Sequence, residues 1–154
     1  MSTGTLIVGI GNRYRGDDAL GCFIADEIRA RVDCDVMVHD GEPASLIDLW
    51  KDKKSVILID AVSSGAEAGT IHRIDLQEQA LPDKFRSYST HAFGIAEAVE
   101  LGRVLKKLPL AIVFYGIEGK SFAADTALSA PLREAVKILQ GKIIEELKEE
   151  KFNA

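Results

Sequence analysis

Cysteine is scarce in this chain of 154 residues, with only Cys22 and Cys34 present. Two thiols exclude a disulfide framework and a metal site built from cysteine alone. Cys22 falls inside an apolar helical pattern, where a small buried hydrophobe is the usual role. Proline is also rare, at 4 against 13 glycines, and 47% hydrophobic with 28% charged residues excludes disordered and collagen-like chains. Positive charge is not in excess. Nineteen basic against twenty-four acidic residues give a formal charge of −5, which supplies no field for phosphate backbones or anionic lipid, so neither nucleic acid nor a membrane is an expected partner. The longest apolar runs, Val56 to Ile59 and Leu108 to Tyr115, fall far short of the ~20 residues that span a bilayer. The opening Met-Ser-Thr-Gly-Thr has neither the charged nor the apolar region of a signal peptide, so a cytoplasmic location is expected. A length of 154 residues predicts one domain spanning 1–154, since domains hold roughly 100–200 residues.

What is present is a set of short apolar strands separated by amphipathic helices. Thr5–Ile10, Ser55–Asp60 and Leu110–Tyr115 are near-continuous apolar runs, the pattern of strands covered on both faces. Val36–His39 reads as a fourth strand, and Thr70–Ile74 alternates as a half-exposed strand near an edge would. Helical spacing follows Asp17-Asp18 through Leu20, Phe23, Ile24, Ile28 and Val32. A short helix over Ala44–Trp50 is entered through Pro43, another begins close to His91 behind a Ser or Thr cap, and a last one runs from near Pro131 to Leu147. This alternation predicts an α/β protein: a three-layer α/β/α sandwich around a mostly parallel, twisted, five-stranded sheet. Ligands of such sheets sit outside the carboxyl ends of the strands, at a topological switch point.

Acidic and ligating residues recur where those strand ends should converge: Asn12, Asp17 and Asp18, then Asp40 and Glu42, Asp60, His91 and Glu118. Only Arg13 and Arg15 stand among them as balancing cations. Carboxylates brought close together repel unless they share a cation or a proton, so a cation site is the natural reading. Asp18, Asp60 and His91 lie 42 and 31 residues apart, so only the fold could unite them. Two carboxylates and one imidazole with open positions would suit a borderline divalent ion such as nickel or zinc. Each also has a plain structural reading: Asp17 or Asp18 as a cap for the first helix, Asp60 as a turn former, His91 as a helix-start residue bonded to a carbonyl. His39 and His72 fall inside strands and read as structural.

Familiar chemistries find no support. Gly9-Ile-Gly11-Asn-Arg-Tyr14 fails the dinucleotide fingerprint, because tyrosine stands where the third glycine is needed for helix–strand packing. There is no Gly-Lys-Ser/Thr phosphate loop and no Gly-x-Ser-x-Gly elbow, so neither a nucleotide cofactor nor a serine nucleophile is expected. For a hydrolase, activated water is the better candidate.

Six collinear blocks carry a resemblance: Leu6-Ile-Val-Gly-Ile-Gly-Asn12, Gly16-Asp-Asp-Ala-Leu-Gly21, His39-Asp-Gly-Glu42, Leu58-Ile-Asp-Ala-Val62, Ser89-Thr-His-Ala-Phe-Gly94 and Tyr115-Gly-Ile-Glu118, with Leu128-Ser-Ala-Pro131 before the last helix. Together they resemble the hydrogenase maturation endopeptidases, aspartic-type peptidases by family classification. The resemblance implies removal of a C-terminal extension from the precursor of a NiFe hydrogenase large subunit after nickel insertion. It also implies nickel contacts at Asp18, Asp60 and His91, with Asp40 in a supporting role near the site. Nickel would be carried by the substrate and would serve as its recognition device. The ion, or a carboxylate acting as base, would then polarise the scissile carbonyl and activate water.

Two other readings compete. The same architecture hosts nucleoside phosphorylases and peptide hydrolases, but a phosphorylase needs arginines gathered around phosphate. A nickel-dependent checkpoint or chaperone would bind the immature subunit without cutting it. The expected state is a monomer or weak dimer.

Overall fold

A computed structural model describes residues 4–85, 90–124 and 127–149, without the side chains of 90–93. Five strands, β1 (Thr5–Ile10), β2 (Asp35–His39), β3 (Ser55–Val62), β4 (Ile71–Asp75) and β5 (Ala111–Glu118), form one sheet in the order β2-β1-β3-β5-β4. Its helices are α1 (Leu20–Ile28), α2 (Pro43–Trp50), α3 (Thr90–Val104) and α4 (Ala130–Leu147). The first four strands in that order are parallel, and β4 lies antiparallel to β5 at the edge. β4 follows β3 across only 63–70, too short for a crossover, so it returns in the opposite direction and pairs with β5. The architecture is the predicted three-layer sandwich.

Every residue of β1, β3 and β5 is buried, and alternate side chains serve opposite layers. Leu6, Val8, Leu58, Ile112 and Phe114 meet Leu46 and Trp50 of α2 and Ile95 and Val99 of α3. On the other face Ile7, Ile57, Ile59, Val113 and Ile117 meet Leu20 and Ile24 of α1 and Leu132, Val136 and Leu139 of α4.

Two strands run further than their apolar stretches suggest. β3 continues to Val62 and β5 to Glu118, paired in register from Ser55 with Ala111 to Val62 with Glu118. Asp60 therefore lies inside its strand, not at its end, and Glu118 is the last residue of β5. A hydrogen-bonded ladder between two buried neighbours outweighs the interruption of an apolar run by one carboxylate.

Candidate functional site at the carboxyl ends of β1 and β3

The chain leaves β1 toward β2 on one side and reaches β3 on the other, so the carboxyl ends of β1 and β3 form the switch point. The first turn of α1 is seated on them through a glycine. A Cβ on Gly21 would come within 2.3 Å of the Ile10 oxygen and 2.7 Å of the Ile59 oxygen, and one on Gly9 within 2.0 Å of the Gly21 oxygen. The close helix–strand approach that Tyr14 forbids at its own position is supplied by Gly21 instead.

This seating fixes the Gly16–Ala19 turn above the strand ends. Asn12 N donates to the Asp18 oxygen at 3.1 Å, and Asp18 N donates to the Arg15 oxygen at 3.0 Å. Neither aspartate caps a helix through its side chain. Asp17 is fully buried and accepts from the amides of Lys120 (2.6 Å), Ser121 (3.0 Å) and Ser129 (2.7 Å) and from the Ser129 hydroxyl (2.8 Å). Burial pushes its carboxyl up, but these four donors together outweigh that and hold it below its ordinary value. Asp17 thus clamps the β5–α4 connection to the β1–α1 turn, leaving Asp18 as the doublet's candidate for chemistry.

Asp18 is 7% exposed and Asp60 is fully buried. Strand alternation puts Asp60 on the α2/α3 face with Leu58 and Val62. Gly21, three residues after Asp18, meets the oxygen of Ile59, the residue before Asp60. The Cys22 thiol, 3.7 Å from the Gly11 oxygen, is pushed up by burial, is lowered in part by Arg13, and is raised further by Asp26, Asp18 and Asp60. The fold therefore unites two residues 42 positions apart.

The third candidate, His91, is the second residue of α3, and its side chain lies outside the described residues. A Cβ on Gly94 would meet the Gly41 oxygen at 2.0 Å and Pro43 Cδ at 3.7 Å, so the start of α3 rests on the loop after β2. That loop carries Asp40, whose carboxylate is exposed and accepts from Glu42 N at 3.0 Å. His39 shapes the same loop. Gly41 N donates to its Nδ1 at 2.9 Å, so the ring proton sits on Nε2 and is donated to Ser45 Oγ at 2.9 Å. Glu42 completes the arrangement as the cap of α2, accepting from the amides of Ala44 and Ser45.

Sequence reasoning noted Glu118 at the sheet edge without giving it a role. It is 1% exposed and accepts from Ser64 N, Ser64 Oγ and, at 3.0 Å, His72 Nε2. It ties the loop after β3 to β4, and His72 in turn packs edge-on against Phe85. These partners lie 54 and 46 residues away, so no local pattern could reveal them. Arg13 is paired with Asp26 at 2.5 Å, which occupies one of the two nearby arginines. Among the described residues, no group of three or more His, Cys, Asp or Glu side chains is arranged to hold a metal. No helix among them is long and apolar enough to cross a membrane.

A family model described as hydrogenase maturation protease matches residues 24–147. This chain belongs to the hydrogenase maturation protease family. A relative from Methanocaldococcus jannaschii, named as a candidate member of that family, is 30% identical over 152 residues, covering 90% of this chain and 95% of its own length. The fold matches the maturating endopeptidase HybD from Escherichia coli with a TM-score of 0.81, at 21% identity and covering 96% of this chain and 93% of the other. It also matches the NiFe hydrogenase maturation protease HycI from Thermococcus kodakarensis with a TM-score of 0.71, at 27% identity and covering 96% and 94% of the two chains. Membership makes this chain a peptidase of hydrogenase maturation. For such a protease the gathering of Asp18 and Asp60 at the switch point is the feature with chemical capacity, since carboxylates can hold a cation or take a proton from water.

Proposed function

We propose that this protein is the endopeptidase that removes the C-terminal extension from a NiFe hydrogenase large-subunit precursor once nickel has been inserted. Asp18, Asp60 and His91 contact the nickel that the substrate carries, and Asp40 supports the site from the loop beside α3. The observation that carries this reading is that Gly21 seats the turn bearing buried Asp18 on the end of β1 and against the Ile59 oxygen, the residue before buried Asp60. Carboxylate oxygens with an imidazole nitrogen form a donor set suited to nickel, and the backbone seats the start of α3 against the Asp40 loop. The metal belongs to the substrate, so this chain's part is to dock the loaded precursor, place the scissile bond and accept a proton from water at a carboxylate. We place the reaction in the cytoplasm, carried out by a monomer or weak dimer.

The test is incubation with nickel-loaded and nickel-free precursor, followed by intact-mass analysis. Loss of a C-terminal peptide from the loaded form alone is expected. Asp18→Asn, Asp60→Asn and His91→Ala, made singly, should each slow processing by at least about a hundredfold, the scale of removing an acid–base group. Wild-type rates in all three would show that the site lies elsewhere. Nickel-dependent binding without any mass change would mark the protein as a checkpoint instead.

A further inference from the structure

The outer face of α3 carries two exposed apolar side chains among its charged ones. Leu101 is 42% exposed and Val104 78% exposed, and both line a groove of about 570 Å³ that reaches Glu42 and Ala44 at the start of α2. Glu97 and Glu100 complete its wall, and no lysine or arginine lines it among the described residues. Arg103 pairs with Glu100 only at 3.9 Å, and its guanidinium donates to the Leu76 oxygen at 2.9 Å. Lys106 and Lys107 follow α3 beyond the end marked by Val104. The charges lining the groove are therefore all acidic, and Glu42 lies at its end nearest Asp40.

The Glu42 end adjoins the candidate site. Glu42 is two residues beyond Asp40, and Gly41 touches α3 at Gly94, three residues after His91. Glu42 is held in place by capping α2, so its charge sits at a fixed point of the rim. A polypeptide leaving the site over the Asp40 loop would run along Glu42 toward the carboxylates and apolar side chains of α3.

We propose that this groove docks the substrate protein: a segment of the precursor places lysine or arginine against Glu42, Glu97 and Glu100 and apolar side chains over Leu101 and Val104. The proposal rests on the substrate named under Proposed function and adds the surface that recognises it. Apolar side chains exposed within a polar rim can seat a partner's apolar side chains. Complementary charge speeds encounter and sets orientation.

Two variants on exposed positions test it without threatening the core: Glu97→Lys with Glu100→Lys, and Leu101→Ser with Val104→Ser. Each is compared with the wild type for precursor affinity by calorimetry and for kcat and KM by intact mass. The charge variant should weaken Kd and raise KM about tenfold at low salt with kcat unchanged, and should flatten the loss of affinity as salt rises. The apolar variant should weaken binding about tenfold at every salt concentration. Unchanged Kd in both variants overturns the proposal, as does a fall in kcat with KM unchanged. So does a change confined to self-association by light scattering, which would assign the groove to a second copy. If the wild type binds the precursor without cutting it, the proteolytic reading fails while the Kd comparison still decides the groove. If the wild type does not bind it, both fail.

Discussion

Replacing Asp17 tests whether one buried carboxylate holds the site's scaffold together. Its two oxygens receive three amides and a hydroxyl at 2.6 to 3.0 Å from Lys120, Ser121 and Ser129. Hydrogen bonds to a charged group contribute about 1.5–3 kcal/mol each, and a buried donor left unsatisfied costs about 1–3 kcal/mol. The four are not independent, and Lys120 and Ser121 lie on an exposed loop where water replaces part of the loss. Asp17→Ala should therefore destabilise the fold by about 3–5 kcal/mol, the scale of a buried charge network broken on one side. Asp17→Asn keeps the volume but offers one acceptor oxygen and turns an NH2 group toward donors, for about 2–3 kcal/mol. Urea unfolding followed by Trp50 fluorescence reads this directly, because Trp50 is the single tryptophan and is fully buried.

The pH dependence has a definite sign. The folded-state pKa of Asp17 lies below its ordinary 3.8, so its stabilisation is fully present above that value and is lost as pH falls through the folded pKa. The gap between wild type and Asp17→Asn should stay constant near neutrality and close on acidification. Asp17→Asn lying within about 0.5 kcal/mol of wild type, the range of an ordinary surface change, would refute the clamp. A gap that widens in acid would refute it as well.

Gly21→Ala should cost at least about 3 kcal/mol and slow processing, because the new methyl meets backbone oxygens at 2.3 and 2.7 Å that cannot rotate away; thermal unfolding and the mass assay check it. Gly141→Ala should stabilise by about 0.5–1 kcal/mol, since Gly141 lies inside α4 with nothing within 4 Å of a Cβ, and a fall in Tm would contradict it. The Tyr115 phenol is pushed far up by burial and by the Glu146 carboxylate, which accepts a hydrogen bond from its hydroxyl at 2.5 Å. Ultraviolet titration should therefore show Tyr115 ionising only as the protein unfolds. Its contribution to stability is complete below the ordinary 10.0 and is lost as pH rises beyond that value.

The amino-acid sequence determined the layers of this protein. Buried apolar runs at Thr5–Ile10, Ser55–Asp60 and Leu110–Tyr115 and helical spacing between them specify strands covered on both faces, because burial has a period that local sequence records. The same pattern pointed to the strand carboxyl ends and so to Asp18, Asp60 and the start of α3. Tertiary structure alone decided which member of the Asp17-Asp18 doublet is structural, because the donors that claim Asp17 arrive from 103 to 112 residues away. It also set Asp60 inside β3, gave Glu118 its partners Ser64 and His72, and made Gly21 the point where α1 meets the sheet. Each of these depends on which backbone atoms lie across a contact, and that information appears only once the strands have chosen their neighbours.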